Sequence, residues 1–231
     1  VRVVVILTDP PGVVTATDNP VRRLMKRVDR GVVHFLARFL TAKVALSSSL
    51  CSIGSSTQPC LVLPGIVSSK WLNLVDQMRS QLEQLHSEER QGHPFTVTYA
   101  GSLNRKYGVL KILEVAKRMP KVHFRIIGFG DASDAFSEAG LRNVEYLGFA
   151  DRDVLARSLL ESDLLLNVRT TQGRHARGSF PSKLLEYAVT GILVLTSRPP
   201  AMPDELKAAF RYYSDDGSVE TIVEAIRVIQ R

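Results

Sequence analysis

From about residue 94 onward, short runs of β-branched and aliphatic residues alternate with helical stretches, and this alternation constrains the fold more than any other feature. The runs cover 95–100, 122–127, 144–147, 164–168, 192–195 and, more weakly, 210–213. Between them 108–118, 132–139, 153–161, 182–190 and 204–210 read as helices, and 219–230 closes the chain. Strands that alternate with helices of this length pair in parallel, with helices on both faces of the sheet. The runs at 164–168 and 192–195 lack a polar/apolar alternation, as expected of strands buried on both sides. The predicted fold class is therefore α/β, a Rossmann-like parallel sheet. Ligands of such sheets bind beyond the carboxyl ends of the strands.

The first third has fewer elements. A strand is expected at 3–7, and further short strands at 44–46 and 61–63. A helix over 22–39 carries Leu24, Val28, Val32, Phe35, Leu36 and Phe39 at helical spacing. This is a partial second Rossmann-like domain, too short to bury a full core. The opening VRVVVILTDPPG has no basic region ahead of its apolar run, so it reads as a buried strand ending in a turn rather than a signal peptide. The chain starts inside that strand without a methionine, and an upstream segment is expected. Residues 64–68 read as a hinge. Residues 71–89 form one long helix with Leu72, Val75, Met78, Leu82 and Leu85 as a stripe, ended by Gln91-Gly-His-Pro94. The expected division is 1–63, 64–93 as hinge and linker helix, and 94–231 as one complete domain.

No run of about 18 apolar residues occurs, so no spanning helix is expected. Cys51 and Cys60 stand alone in a chain of 231 residues, large enough to do without staples. They are expected as free thiols in a reducing, cytoplasmic setting. The net charge of +7 is partly concentrated in Arg22, Arg23, Lys26, Arg27 and Arg30. That stretch reads as a solvated helix face, or as a surface meeting anionic lipid headgroups at the inner side of a membrane. No aromatic strand motif or zinc-finger spacing accompanies the charge, so nucleic acid is not an expected partner.

Four strand-to-helix loops carry candidate chemistry. In the first, Tyr99-Ala-Gly101-Ser102-Leu-Asn-Arg105-Lys106-Tyr107-Gly108, glycine permits close approach of backbone to a phosphate. Arg105 and Lys106 supply cations there; the plain alternative is an ordinary turn. The second, Gly128-Phe-Gly130-Asp131, resembles an incomplete dinucleotide fingerprint with Ser133 in place of the third glycine. Its glycines let either a ligand or a helix come close. The third, Asp151-Arg-Asp153, is a metal pair or, preferably, a helix cap; no metal is expected. The fourth, Gly178-Ser-Phe-Pro-Ser182-Lys183-Leu184-Leu-Glu186-Tyr187, follows a polar loop over 169–177. Pro181 marks a helix start, with Ser182, Lys183 and Glu186 on one face. A diphosphate near Lys183 and a ribose diol near Glu186 match that order of groups.

Taken together, these motifs resemble the GT-B glycosyltransferases, in particular the large retaining family that uses nucleotide-activated sugars. Phe180-Pro-Ser-Lys-Leu-Leu-Glu-Tyr-Ala-Val-Thr-Gly191 resembles the family's signature helix. The resemblance implies that 64–231 contains the donor-binding domain and that 1–63 ends the acceptor-binding domain. It assigns Glu186 to the ribose and Gly148-Phe149 to the nucleobase, with Gly128 and Gly130 nearby. It assigns Gly101, Ser102, Arg105, Lys106, Arg169, Ser182, Lys183 and Leu184 to the diphosphate. Asp9 matches the catalytic residue at the strand end facing the sugar; by its own setting it is also a turn residue before Pro-Pro-Gly. The implied donor is a nucleotide sugar, the acceptor lipid-linked or polysaccharide, and no cofactor is implied. The chain departs from the pattern at Gly178, where the first glutamate of the signature is absent, and at Ser102 and Tyr107, where cations are usual. A sugar-nucleotide epimerase and a non-catalytic nucleotide-sugar-binding subunit are the alternatives.

Overall fold

The computed structural model describes residues 2–8, 10–14, 18–63, 65–85, 92–169, 181–199, 202–214 and 217–231. They form two compact units, one built on the chain up to Ile66 and the other on most of the chain from Val67 onward.

The second unit holds a six-stranded sheet of β4 (Thr96–Ala100), β5 (His123–Ile127), β6 (Val144–Gly148), β7 (Leu164–Asn167), β8 (Val194–Thr196) and β9 (Arg211–Tyr212). The strand order is β6-β5-β4-β7-β8-β9 and every pairing is parallel. The order runs outward from β4 in one direction and from β7 in the other. The two halves therefore diverge between β4 and β7, and a crevice opens there at the carboxyl edge.

Helices cover both faces. Strand residues alternate between faces. Val97, Tyr99, Phe124, Ile126, Leu164 and Leu166 pack with Ile112, Val115 and Ala116 of α3 (Lys111–Arg118) and with residues of the C-terminal helix, Val219–Ile229. On the other face, Thr98 accepts a hydrogen bond from Ser162 at 2.6 Å and Ala100 is held by Tyr187. These partners come from the end of α5 (Arg152–Leu160) and from α6 (Lys183–Val189). The helix expected as a linker, α2 (Ser69–Leu85), packs on α5 and α6 through Trp71, Val75 and Leu82, all buried. A short α4 (Ser133–Ser137) and α7, the C-terminal helix already given, complete the unit. The stretch 204–210 is a 3-10 turn over Asp204–Ala209 instead of an α-helix.

The first unit is a three-stranded parallel sheet of β1 (Val4–Leu7), β2 (Ala42–Ala45) and β3 (Cys60–Val62), with α1 (Pro20–Leu36) as its crossover. Its core is small, formed by Ala37, Ala45, Leu50 and Ile53 with a few partly buried neighbours. Lys43 is buried and spends its three ammonium donors on the carbonyls of Cys51, Ile53 and Ser55 at 2.6, 2.9 and 2.9 Å. That grip folds the 51–55 turn against β2.

The same turn corrects the expectation of free thiols. Cys51 and Cys60 are joined in a disulfide with their Cα atoms 5.8 Å apart. The Lys43 backbone is in register with Cys60 in the β2–β3 ladder, and its side chain holds the Cys51 carbonyl, so one residue positions both cysteines. Their separation of nine residues gave no such signal. Among the described residues, no helix is long and apolar enough to cross a membrane.

Candidate functional site

The carboxyl ends of β4 and β7 flank the crevice, and the end of β4 is fixed by α6. The Tyr187 hydroxyl accepts from the Ala100 amide at 2.7 Å and donates to the Ala100 carbonyl at 2.8 Å. Burial pushes the Tyr187 phenol well above its ordinary range, so it stays a neutral donor and acceptor. This double bond sets α6 directly beside the Gly101 turn.

Lys183, the first residue of α6, reaches over that turn. Its Nζ lies 3.8 Å from the centre of the Tyr99 ring and 6.0 Å from that of Tyr187. A Cβ on Gly101 would stand 3.1 Å from this nitrogen and 3.3 Å from Cδ, so any larger residue would press on the lysine stem. Gly101 has φ +148, which favours glycine on its own account. Burial, with a smaller contribution from the charge of Arg169, lowers the Lys183 pKa to about 7. Among the described residues no carboxylate pairs with it. The result is a desolvated cation facing two aromatic rings, a setting that an incoming phosphate would complete.

Arg169 follows β7 on the other side of the crevice. Its guanidinium stacks over Tyr107 at 5.6 Å, and its amide donates to the Tyr213 hydroxyl at 3.3 Å. Lys106 lies over the same Tyr107 ring at 4.9 Å. Tyr99 donates to the Ser102 carbonyl at 2.9 Å, which shapes the turn. Thus Gly101, Ser102, Lys106, Arg169 and Lys183 share the switch-point edge. Arg105 is engaged elsewhere: its amide donates to Asp131 Oδ1 at 2.6 Å and its Nε to the Asp131 carbonyl at 3.4 Å. Ser182 is exposed in the turn before α6, while the Leu184 side chain is buried.

Gly128 and Gly130 have a clear steric reason. A Cβ on Gly128 would fall 1.9 Å from the Gly101 carbonyl oxygen, and one on Gly130 would fall 2.4 Å from the Leu103 carbonyl carbon. The two loops interlock through hydrogen bonds from Leu103 to Phe129 and from Ala132 to Leu103. Here the glycines admit another chain segment. At Gly148, with φ +66, added atoms would meet nothing within 4 Å. The next residue, Phe149, is 86% exposed, and Phe129 at the end of the neighbouring strand is 74% exposed. Two aromatic faces thus stand free at the ends of β5 and β6.

Glu186 lies one turn into α6. It accepts from Arg152 Nη1 at 3.3 Å, and Arg152 stacks over Trp71 at 5.2 Å. The Trp71 indole donates to the Glu186 carbonyl at 3.2 Å. Arg152, Trp71, Tyr99 and Tyr187 are site residues that spacing did not single out. Tyr99 and Tyr187 sat inside quoted motifs, whereas the Arg152–Glu186 and Trp71–Glu186 contacts join separate helices. Asp151 is a helix cap: it accepts from the Val154 amide at 3.0 Å. Among the described residues no cluster of metal-ligating side chains forms. Asp9, Gly178 and most of the polar loop that follows Arg169 lie outside the described residues.

A parallel sheet with this strand order is a doubly wound α/β sheet, and its ligand crevice lies at the switch point. Residues 80–230 match the family model of the glycosyl transferases group 1, and the chain belongs to that family. No curated protein matches in sequence. Anabaena HepE, solved with UDP-glucose, is similar in fold, with a TM-score of 0.66 at 16% identity over 100% of this chain and 63% of that one. The sucrose-phosphate synthase of Thermosynechococcus elongatus gives 0.65 at 17% identity over 93% and 53%. A glycosyltransferase of Rickettsia africae gives 0.64 at 9% identity over 98% and 66%. The fold is therefore that of GT-B glycosyltransferases. The chain spans 57% to 63% of the length of HepE in its two complexes.

Proposed function

We propose that this chain carries the donor site of a glycosyltransferase that moves a sugar from a nucleoside diphosphate to a lipid-linked or polysaccharide acceptor, with retention at the anomeric carbon. The observation that carries this reading is Lys183, desolvated at the switch point with no carboxylate partner among the described residues. In this reading the diphosphate lies between Lys183 and Arg169, beside the Gly101–Ser102 backbone. Glu186 accepts from the ribose hydroxyls, held in place by Arg152. The base packs against Phe149 beyond Gly148.

The chemistry follows from charge. Cleavage of the sugar–phosphate bond leaves negative charge on the departing diphosphate. Preorganised cations and amides in a poorly hydrated crevice stabilise that charge more than they stabilise the bound donor. Arrival of the anion raises the Lys183 pKa again, so the lysine is fully charged when needed. These residues can neutralise the leaving group without a metal. The UDP and UDP-glucose bound in HepE support a nucleotide-sugar donor of this class.

A thermal-shift panel of nucleoside diphosphates and nucleotide sugars tests the reading, since a ligand that binds the folded state raises its melting temperature. A rise with at least one nucleoside diphosphate is expected; no shift across the panel overturns the reading. The variant position Gly178 favours one second reading, a subunit that binds a nucleotide sugar without turning it over. Release of free nucleoside diphosphate in the presence of acceptor separates the two.

A further inference from the structure

Arg169 is held by two tyrosines that come from separate elements. Its guanidinium lies over the Tyr107 ring, and its amide donates to the Tyr213 hydroxyl at 3.3 Å. That hydroxyl donates in turn to the Asn167 carbonyl at 3.2 Å. One phenol therefore ties two backbone groups on either side of Val168, where the chain leaves β7. Tyr213 is itself anchored. It is buried just beyond β9, and its amide donates to the Thr196 carbonyl of β8 at 3.3 Å. Asn167 Nδ2 donates to Thr196 Oγ1 at 2.8 Å, so the ends of β7, β8 and β9 close into one polar clasp. Burial holds the Tyr213 phenol above its ordinary range, which keeps its proton available for donation.

Tyr107 ends the 3-10 turn Arg105–Tyr107 that leads from β4 to α3. Its amide donates to the Asn104 carbonyl at 2.9 Å, and its half-buried ring packs against the main core. The same ring meets two cations, Lys106 Nζ at 4.9 Å and Arg169 Cζ at 5.6 Å from its centre. A carboxylate in its place would neutralise them. A neutral ring attracts each cation through its quadrupole and leaves the charge available to an incoming anion. This matters because Arg169 and Lys183 repel each other: the arginine's charge contributes, after burial, to the lowered Lys183 pKa of about 7. Such repulsion favours an arginine turned outward to water, so the side chain needs a hold at both its root and its tip.

We propose that Tyr107 and Tyr213 are positioning residues of the donor site: Tyr213 fixes the Arg169 backbone, Tyr107 fixes its guanidinium, and together they aim the arginine into the crevice between β4 and β7. This rests on the reading that a diphosphate lies between Arg169 and Lys183. Each tyrosine acts through the arginine rather than on the ligand. Loss of either leaves the charge in the chain but removes its aim.

The test has two arms, on variants shown to fold by circular dichroism melts. The first is calorimetric titration of whichever of uridine, guanosine or adenosine diphosphate binds the parent chain tightest. R169M should weaken binding about tenfold or more. Y213F and Y107L should each weaken it about three- to tenfold, and Y107F, which retains the ring face, should recover most of what Y107L loses. In an R169M background either tyrosine change should add little, because the three residues act as one unit. Parent-like binding in Y213F or Y107L overturns the inference, and so do losses that add to that of R169M. The second arm needs no ligand: the Lys183 ammonium is titrated by NMR. R169M should raise the Lys183 pKa by removing a like charge, and Y213F and Y107L should move it the same way by no more than R169M does. A Lys183 titration that R169M or either tyrosine variant leaves unmoved overturns the inference. A parent chain that binds none of the three diphosphates sinks the donor-site reading instead, and the Lys183 titration then decides whether the tyrosines aim Arg169.

Discussion

The two sheets of this chain are built from the same βα unit and differ in what covers them. In the six-stranded sheet β4, β7 and β8 are buried along their whole length. In the three-stranded sheet Val4 is 58% exposed, Ile6 66% and Leu61 62%, and the apolar side of its helix is bare. The first sheet organises a site because its strand ends are immobilised from both faces: Tyr187 grips Ala100 from one side, and the Gly101–Leu103 turn is interlocked with 128–131 on the other. The second keeps its shape through polar devices. Lys43 in its cage of carbonyls, the Cys51–Cys60 bridge and Gln58, which donates to the Leu40 carbonyl at 2.6 Å, tie its turns to the sheet. Each unit holds a cation away from water: Lys43 spends its donors on three carbonyls, whereas Lys183 faces two aromatic rings.

The largest expected effect separates the two regimes. Phe124→Ala, in β5 with no exposed surface, should cost about 3–5 kcal/mol in urea unfolding. Ile6→Ala, at an exposed position of β1, should stay within about 0.5 kcal/mol. Similar costs at both positions would erase the contrast.

Next come the glycines. Gly128→Ala places a methyl 1.9 Å from the Gly101 oxygen at φ +141. It should lose about 1–3 kcal/mol to backbone strain, with a comparable penalty for overlap, and should displace the turn on which Lys183 rests. Gly148→Ala carries only the strain of φ +66, about 1–2 kcal/mol, because nothing crowds its Cβ. Thermal melts of the pair rank them; a Gly148 variant hit as hard as Gly128 would mean that crowding is not what selects glycine there.

The effect of Lys183 has an unusual sign. The Lys183 pKa is lowered to about 7 from the ordinary 10.5, so between those values the unfolded chain binds more protons than the folded one. This group's contribution to stability therefore rises with pH across that window and is lost as pH falls through about 7. Lys183→Met should raise the melting temperature of the unliganded chain at pH 6 and flatten this part of its pH dependence. Nucleoside diphosphate binding, which needs the charged form, should weaken as pH rises above 7 in the parent chain. A melting temperature that drops in Lys183→Met would show that the ammonium is not desolvated.

Much of this was legible in the residues. The strand runs of the second unit carried their own positions, because short runs rich in β-branched and aliphatic residues alternate there with helical stretches. The observed strands differ from the expected runs by one or two residues at their ends, where capping decides. Asp151 was legible as a cap from its place before a helix. Other features needed the fold. Periodicity marked α1 as amphipathic, yet cannot say which side meets the sheet. The incomplete glycine fingerprint at 128–130 left a ligand or a helix open, whereas the glycines clear space for the loop backbone of 101–103. The Arg152–Glu186 pair joins helices 34 residues apart, and the Trp71–Glu186 bond spans 115. Contacts of that range follow from topology and leave no local signal.

The central claim is that the crevice between β4 and β7 is a diphosphate and ribose site served by Lys183 and Glu186. Calorimetric titration of a nucleoside diphosphate into the parent chain, Lys183→Met and Glu186→Ala tests it most directly. Each lost charge-assisted contact should weaken binding about tenfold or more, with the far-ultraviolet spectrum unchanged. Parent-like affinity in both variants would contradict the account.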